Sequence, residues 1–172
     1  MTEQTAENIP PITEVVPHRG RALLLDRIET HEAGTTCCVV EIDASTWLRR
    51  ADGTVPAWIG IECMAQCIAA HEGCIARDAG RQLGPGFLVR ARRVRFHRHE
   101  LRAGERLAVR ARRLRGRPAL GAMAYACEIR AGAGPEAPLV AEAQLTVAVG
   151  RAEAAPLAGR RPSALLRGGS GP

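Results

Sequence analysis

The 172-residue sequence contains no lysine, so the basic side chains behind its formal charge of +6 are all arginines. An arginine-only basic set accords with the alanine- and glycine-rich coding of a GC-rich genome. It also equips the surface to attract an acidic partner through the summed field. Aromatic residues are scarce: Trp47, Trp58, Phe87, Phe96 and Tyr125 are the whole complement. With so few rings and no stacking motif beside the arginines, nucleic acid is a poor fit as partner. No apolar run reaches bilayer length uncharged, because Glu62, His71 and Glu72 interrupt the best stretch. The acidic, polar opening MTEQTAENIPP does not read as a secretory leader. Cys37, Cys38, Cys63, Cys67, Cys74 and Cys127 sit mostly in apolar runs. They read as reduced thiols used as small hydrophobes, which places the chain in the cytoplasm.

What is present is organised around one stretch, PAWIGIECMAQCIAAHEGCIAR, from Pro56 to about Arg77. It reads as one long helix, apolar on almost every side, with proline at its first position. A helix without a broad charged face must be surrounded by protein. Two polar side chains stand out early in it, Glu62 and Gln66, four residues apart and so on one face. A carboxylate on such a helix is costly to desolvate and points to a function.

Residues 1–11 are expected to form a flexible arm, 12–149 one domain, and the Gly-, Pro- and Arg-rich residues 150–172 a disordered tail. Ile12–Val16 reads as a short helical turn. Arg21–Glu32 and Thr35–Asp43 read as neighbouring antiparallel strands, and residues 44–55 as a loop. After the helix the pattern reads as a β-meander: Phe87–His97, Arg106–Arg115, Ala119–Arg130 and Leu139–Val149. An antiparallel sheet curled around one central helix satisfies this order, an α+β class with a hotdog architecture. Such a sheet covers its helix incompletely, so a dimer is expected.

Three segments carry a resemblance to a known family: VPHRGRALLLDRI (Val16–Ile28), PAWIGIECMAQ (Pro56–Gln66) and GFLVRARRVRFHRHELRAGE (Gly86–Glu105). Together they resemble the hotdog-fold 3-hydroxyacyl-acyl-carrier-protein dehydratases of the FabZ type. The resemblance implies that Glu62, which opens Glu-x-Met-Ala-Gln, is the catalytic carboxylate. It implies a histidine from a Gly-His-Phe-Pro segment, contributed across a dimer interface, as its partner. Dehydration needs a base for the C2 proton and an acid for the departing hydroxyl. A histidine suits the first role, and a carboxyl group raised by desolvation suits the second. Backbone N–H groups at the helix start, around Ala57 and Trp58, would polarise the thioester carbonyl.

The sequence departs from that pattern where the histidine belongs. The corresponding segment is STWLRRADGTVPAW (Ser45–Trp58), the histidine would fall on or near Leu48, and none lies between His31 and His71. Ala-Asp-Gly before a Pro-x-Trp helix start is similar to the aryl-polyene-cluster (ApeP-like) subgroup, in which two dehydratase-like proteins occur together. That likeness implies a homodimer or a heterodimer with a paralogous dehydratase, whose histidine would complete the site. Within the chain His18, in Pro-His-Arg, is the alternative catalytic residue. Gln66 is expected to position Glu62 or substrate, or to satisfy local backbone. His71 reads as a core or interface histidine. His97 and His99 would share a strand face, but no metal site or cofactor is expected. Arg90, Arg92, Arg93 and Arg95 are candidate contacts for the acyl carrier protein or its phosphopantetheine phosphate. The rival readings are a hotdog acyl thioesterase, with Glu62 activating water, and a non-catalytic subunit of a dehydratase heterodimer.

Overall fold

The computed structural model describes residues 9–32, 34–43, 48–117 and 121–149. The expected tail, most of the expected arm and the segment Ala44–Trp47 lie outside them. Residues 9 and 10 are not loose: Pro10 is buried, and Ile9 packs against the core.

A helical turn, α1 (Ile12–Val15), leads through the loop carrying His18 into β1 (Arg27–Glu32) and β2 (Thr35–Glu41). A short β3 (Thr54–Pro56) and a 3-10 turn precede the long helix α2 (Gly60–Asp78). The remaining strands are β4 (Gly86–Phe96), β5 (Glu100–Arg102), β6 (Arg106–Arg117), β7 (Ala122–Ala131) and β8 (Leu139–Val149). Six strands form one antiparallel sheet in the order β1-β2-β6-β7-β8-β4, and β3 pairs with β5. The expected antiparallel sheet around one central helix is present.

Alternation explains the curl. On β6, Leu107, Val109 and Ala111 are buried beneath the helix, while Arg106, Arg110 and Arg112 face solvent. On β8, Ala141, Ala143, Leu145 and Val147 point the same way. Helix α2 answers with Cys63, Met64, Cys67, Ile68 and Ala70, all at most 2 % exposed. The described cysteines are free, and burial pushes the Cys63 thiol up to about 12 and the Cys74 thiol to about 11. These thiols act as packing groups.

Four expectations need correction. Leu23–Leu25 is not a strand: a 3-10 turn (Gly20–Ala22) precedes it and β1 begins at Arg27. Pro56 ends β3 instead of opening the helix, and α2 starts at Gly60 after the 3-10 turn. The segment before the helix is not all loop, since Thr54–Pro56 pairs with Glu100–Arg102. Finally, β4 does not run into a meander but crosses to the far edge, where it pairs with β8. Helix α2 lies over β1, β2, β6, β7 and β8, and a groove separates it from β4. Residues 86–95 of β4 are exposed, with Phe87 63 % and Val89 61 % accessible, and only Phe96 at its end packs against the core.

Gly73 decides how α1 meets α2. A Cβ there would stand 2.2 Å from the Val15 carbonyl oxygen and 2.8 Å from its Cβ. Backbone cannot yield as a side-chain tip would. Gly73→Ala is therefore expected to destabilise by about 1–3 kcal/mol, despite alanine's better helix propensity. Denaturant unfolding of the variant checks this; equal or greater stability would show that α1 is not docked on α2.

Candidate active site

Gln66 is the hub. Its side chain is fully buried; Nε2 donates to the Ala22 carbonyl (2.7 Å) and to Glu62 Oε1 (2.9 Å), and Oε1 accepts from the Leu24 N–H (2.9 Å). A primary amide has two donor hydrogens and one carbonyl, and here each is engaged. One residue thus fixes Glu62 on the helix and ties down the loop before β1. These bonds explain why Leu23–Leu25 is not a strand: its backbone bonds a helix side chain instead.

Arg19 orders the other end of that loop. Its guanidinium donates to the carbonyls of Thr13, Val16 and His18. In Asp26 the Leu-Leu-Asp-Arg run has a structural acceptor, whose Oδ2 takes the Glu41 N–H at 2.7 Å. So braced, His18 brings Nε2 to 3.5 Å from Glu62 Oε1. The His18 Nδ1 atom is buried without a hydrogen-bond partner. Gln66→Leu is expected to cost about 1–3 kcal/mol, by orphaning the Ala22 and Leu24 groups. It should also weaken the Glu62–His18 contact, read as a lower kcat beyond any shift in melting temperature.

Glu62 and His18 open onto an apolar groove where α2 stops short of β4. Its walls are Ala65, Ile68 and Ala69 of α2, Leu83 and Gly84 of the following loop, Phe87 and Leu88 of β4, and Val147 of β8. It measures about 150 Å³, below the usual range for a small-molecule site. Phe87 and Leu88 are themselves exposed, so this wall is unbacked. The expected desolvation of Glu62 is absent in the single chain, where its side chain is 49 % exposed. The helix is wrapped on its sheet side only.

Other candidates fall outside this groove. Ala57 is buried and its N–H is already given to the His99 carbonyl at 2.9 Å, so it has none to offer a substrate. Trp58 is 54 % exposed and does not line the groove. Arg90 and Arg92 pair opposite Thr146 and Gln144 of β8, on the sheet face turned away from α2. Leu48, at the position of the expected histidine, packs against the core. His97 lies beyond the end of β4, so His97 and His99 do not share a strand face. Among the described residues no three His, Cys, Asp or Glu gather in a way that would hold a metal ion.

His71 is a core residue, fully buried. Its Nδ1 is 2.8 Å from Thr36 Oγ1, which is also 2.7 Å from His31 Nδ1. Burial lowers the His71 pKa to about 4, with His31 and Arg113 adding to the effect.

The family model for the ApeP dehydratase, ApeP-like, matches residues 10–157. The chain belongs to the ApeP-like dehydratase family. Among solved structures, the dehydratase heterocomplex ApeI:P from Xenorhabdus doucetiae superposes with a TM-score of 0.75 at 20 % identity, over 82 % of this chain and 91 % of that one. A mutant of the phenylacetic acid degradation protein PaaI from Thermus thermophilus gives 0.52 at 20 % identity, over 71 % and 90 %. A hypothetical thioesterase with coenzyme A from Streptococcus pneumoniae TIGR4 gives 0.53 at 14 % identity, over 72 % and 84 %. At these identities the likeness establishes the hotdog fold. No curated protein matches the sequence. No helix among the described residues is long and apolar enough to cross a membrane.

Two residues of this ApeP-like chain have contacts at the site that their sequence context does not announce. Arg19 stood in the Pro-His-Arg motif, where its clamp on three carbonyls could not be inferred from spacing. Glu72 stood on the central helix, ten positions after Glu62, and lines the same groove.

Proposed function

We propose that this ApeP-like chain removes water from carrier-bound 3-hydroxyacyl thioesters, with Glu62 as acid and His18 as base. The observation that carries this reading is the 3.5 Å contact between His18 Nε2 and Glu62 Oε1 at the mouth of an apolar groove. The two reacting groups of the substrate, the C2 proton and the C3 hydroxyl, sit on adjacent carbons. A base and an acid that meet side by side suit them. His18 takes the C2 proton, the C2–H electrons form the C2=C3 bond, and the C3–O bond breaks as Glu62 protonates the leaving oxygen. The cycle leaves His18 with an extra proton and Glu62 without one. Their contact provides the path by which the proton returns.

Covering the groove would supply the desolvation that the lone chain lacks. The acyl chain does part of this, and a second subunit on the exposed edge of β4 does the rest. An eleven-residue edge with exposed Phe87, Leu88 and Val89 is an association site by its physics. The outward arginines, Arg90 and Arg92, then face an acidic carrier protein. A second reading keeps Glu62 as acid and takes the base from a paralogous subunit. It is supported by Leu48 at the expected histidine position and by the two-protein complex described for the Xenorhabdus relative.

The product tests the reaction class. A carrier-bound 2-enoyl thioester, lighter than substrate by one water in mass spectrometry, is the expected result. Release of free acid and bare carrier would mean thioester hydrolysis instead.

A further inference from the structure

The groove has a carboxylate at each end. Steps of three and four along α2 place Glu62, Ala65, Ala69 and Glu72 on one face. Ten residues of helix separate the two glutamates by about 15 Å along the axis. Between them the wall is apolar, with Ala65, Ile68 and Ala69 on the helix and Leu88 and Val147 across from it.

The two carboxylates are held differently. Glu62 is half-exposed, whereas the Glu72 side chain is only 12 % exposed. Glu72 Oε1 accepts a hydrogen bond from the hydroxyl of Tyr125, a residue of β7 that is itself fully buried. Arg113 of β6 stands 3.9 Å from the same oxygen. Contacts from two strands therefore fix a charged group in the groove wall. The proposed dehydration makes no use of it.

We propose that Glu72 is the specificity-determining end of the acyl groove and sets the longest unbranched chain the protein accepts. This rests on the acyl-thioester reading above. A methylene laid on the apolar wall leaves water and strengthens binding about fourfold. A chain end pushed against Glu72 instead strips the remaining water from a carboxylate and returns no hydrogen bond. Affinity therefore climbs with chain length until the methyl end meets Glu72, then stops climbing or falls.

The test is calorimetric titration of the full chain with unreactive amide analogues of acyl-pantetheine of increasing length. Wild type is expected to gain about fourfold per methylene up to a break. Glu72→Leu and Glu72→Gln should both move the break to longer chains; glutamine keeps an acceptor for Tyr125, so the test survives if the leucine variant fails to fold. Tyr125→Phe retains the carboxylate and should retain the break. An unchanged break in both Glu72 variants would overturn the role of Glu72 while leaving an acyl groove in place. Affinity without any dependence on chain length in wild type would overturn the acyl reading itself.

Discussion

Glu62→Gln is expected to lower the dehydration rate by about 10²–10⁴-fold, the range lost when a positioned general acid is removed. The fold should survive, because Glu62 is half-exposed and its one hydrogen bond from Gln66 can be accepted equally by a glutamine oxygen. The two readouts are kcat/KM on a 3-hydroxyacyl carrier-protein thioester and the melting temperature. A large loss of rate at constant melting temperature is the expected result. A variant as active as wild type would remove Glu62 from the chemistry.

The second large effect is acid sensitivity, and it comes from the core. Thr36 Oγ1 lies between His31 Nδ1 and His71 Nδ1. One hydroxyl can donate to one ring and accept from the other, so the ring that accepts from Thr36 must be neutral, and the His71 Nε2 atom is buried without a hydrogen-bond partner that would favour a charge. Protonating the accepting ring sets two N–H groups against one oxygen. Helix α2 adds Glu72 beside His71, but its Oε1 is taken by Tyr125. Strand β6 presents Arg113, which opposes a charge on His71; Asp78 favours one on His31 without overcoming that ring's burial.

The folded pKa of His71 is thus about 4, against an unfolded value of 6.5. Between these values the unfolded chain binds more protons, so stability rises with pH. The contribution is complete above pH 6.5 and is lost as pH falls toward 4. The full loss is roughly 3 kcal/mol, about two thirds of it by pH 5. Urea unfolding at neutral pH and at pH 5 checks this. His71→Leu should flatten the dependence, whereas the same slope in that variant would place its cause elsewhere.

The sequence made legible the elements whose period is strong. Strand β8 has the limits its alternation suggested, and the arginines and aliphatics of β6 divide between the faces as read. The Glu62–Gln66 spacing on α2 also carried through to a hydrogen bond. Three kinds of feature were invisible. Strands of three residues, such as β3 and β5, are too short to show a period. The place of β4 in the sheet is a long-range pairing with β8, which local alternation does not encode. The contact of His18 with Glu62 joins residues far apart in sequence through a loop held by Arg19 and Gln66.

The exposure of Glu62 is hidden from the sequence for a related reason. An apolar helix face implies a protein cover, but the partly exposed Ala65 and Ala69 beside Glu62 face a groove. Apolar composition records that water is to be excluded there. It does not say whether sheet, substrate or a second subunit excludes it.

On the proposed reading this chain holds both halves of an acid–base pair, Glu62 and His18. The most direct test is turnover of a 3-hydroxyacyl carrier-protein thioester by the purified protein alone, comparing wild type with His18→Ala. Wild type is expected to release water from the substrate, and the variant to fall by about 10²-fold or more at unchanged melting temperature. Turnover retained in His18→Ala would contradict it. So would an inactive wild type that gains activity only with a second, histidine-bearing subunit.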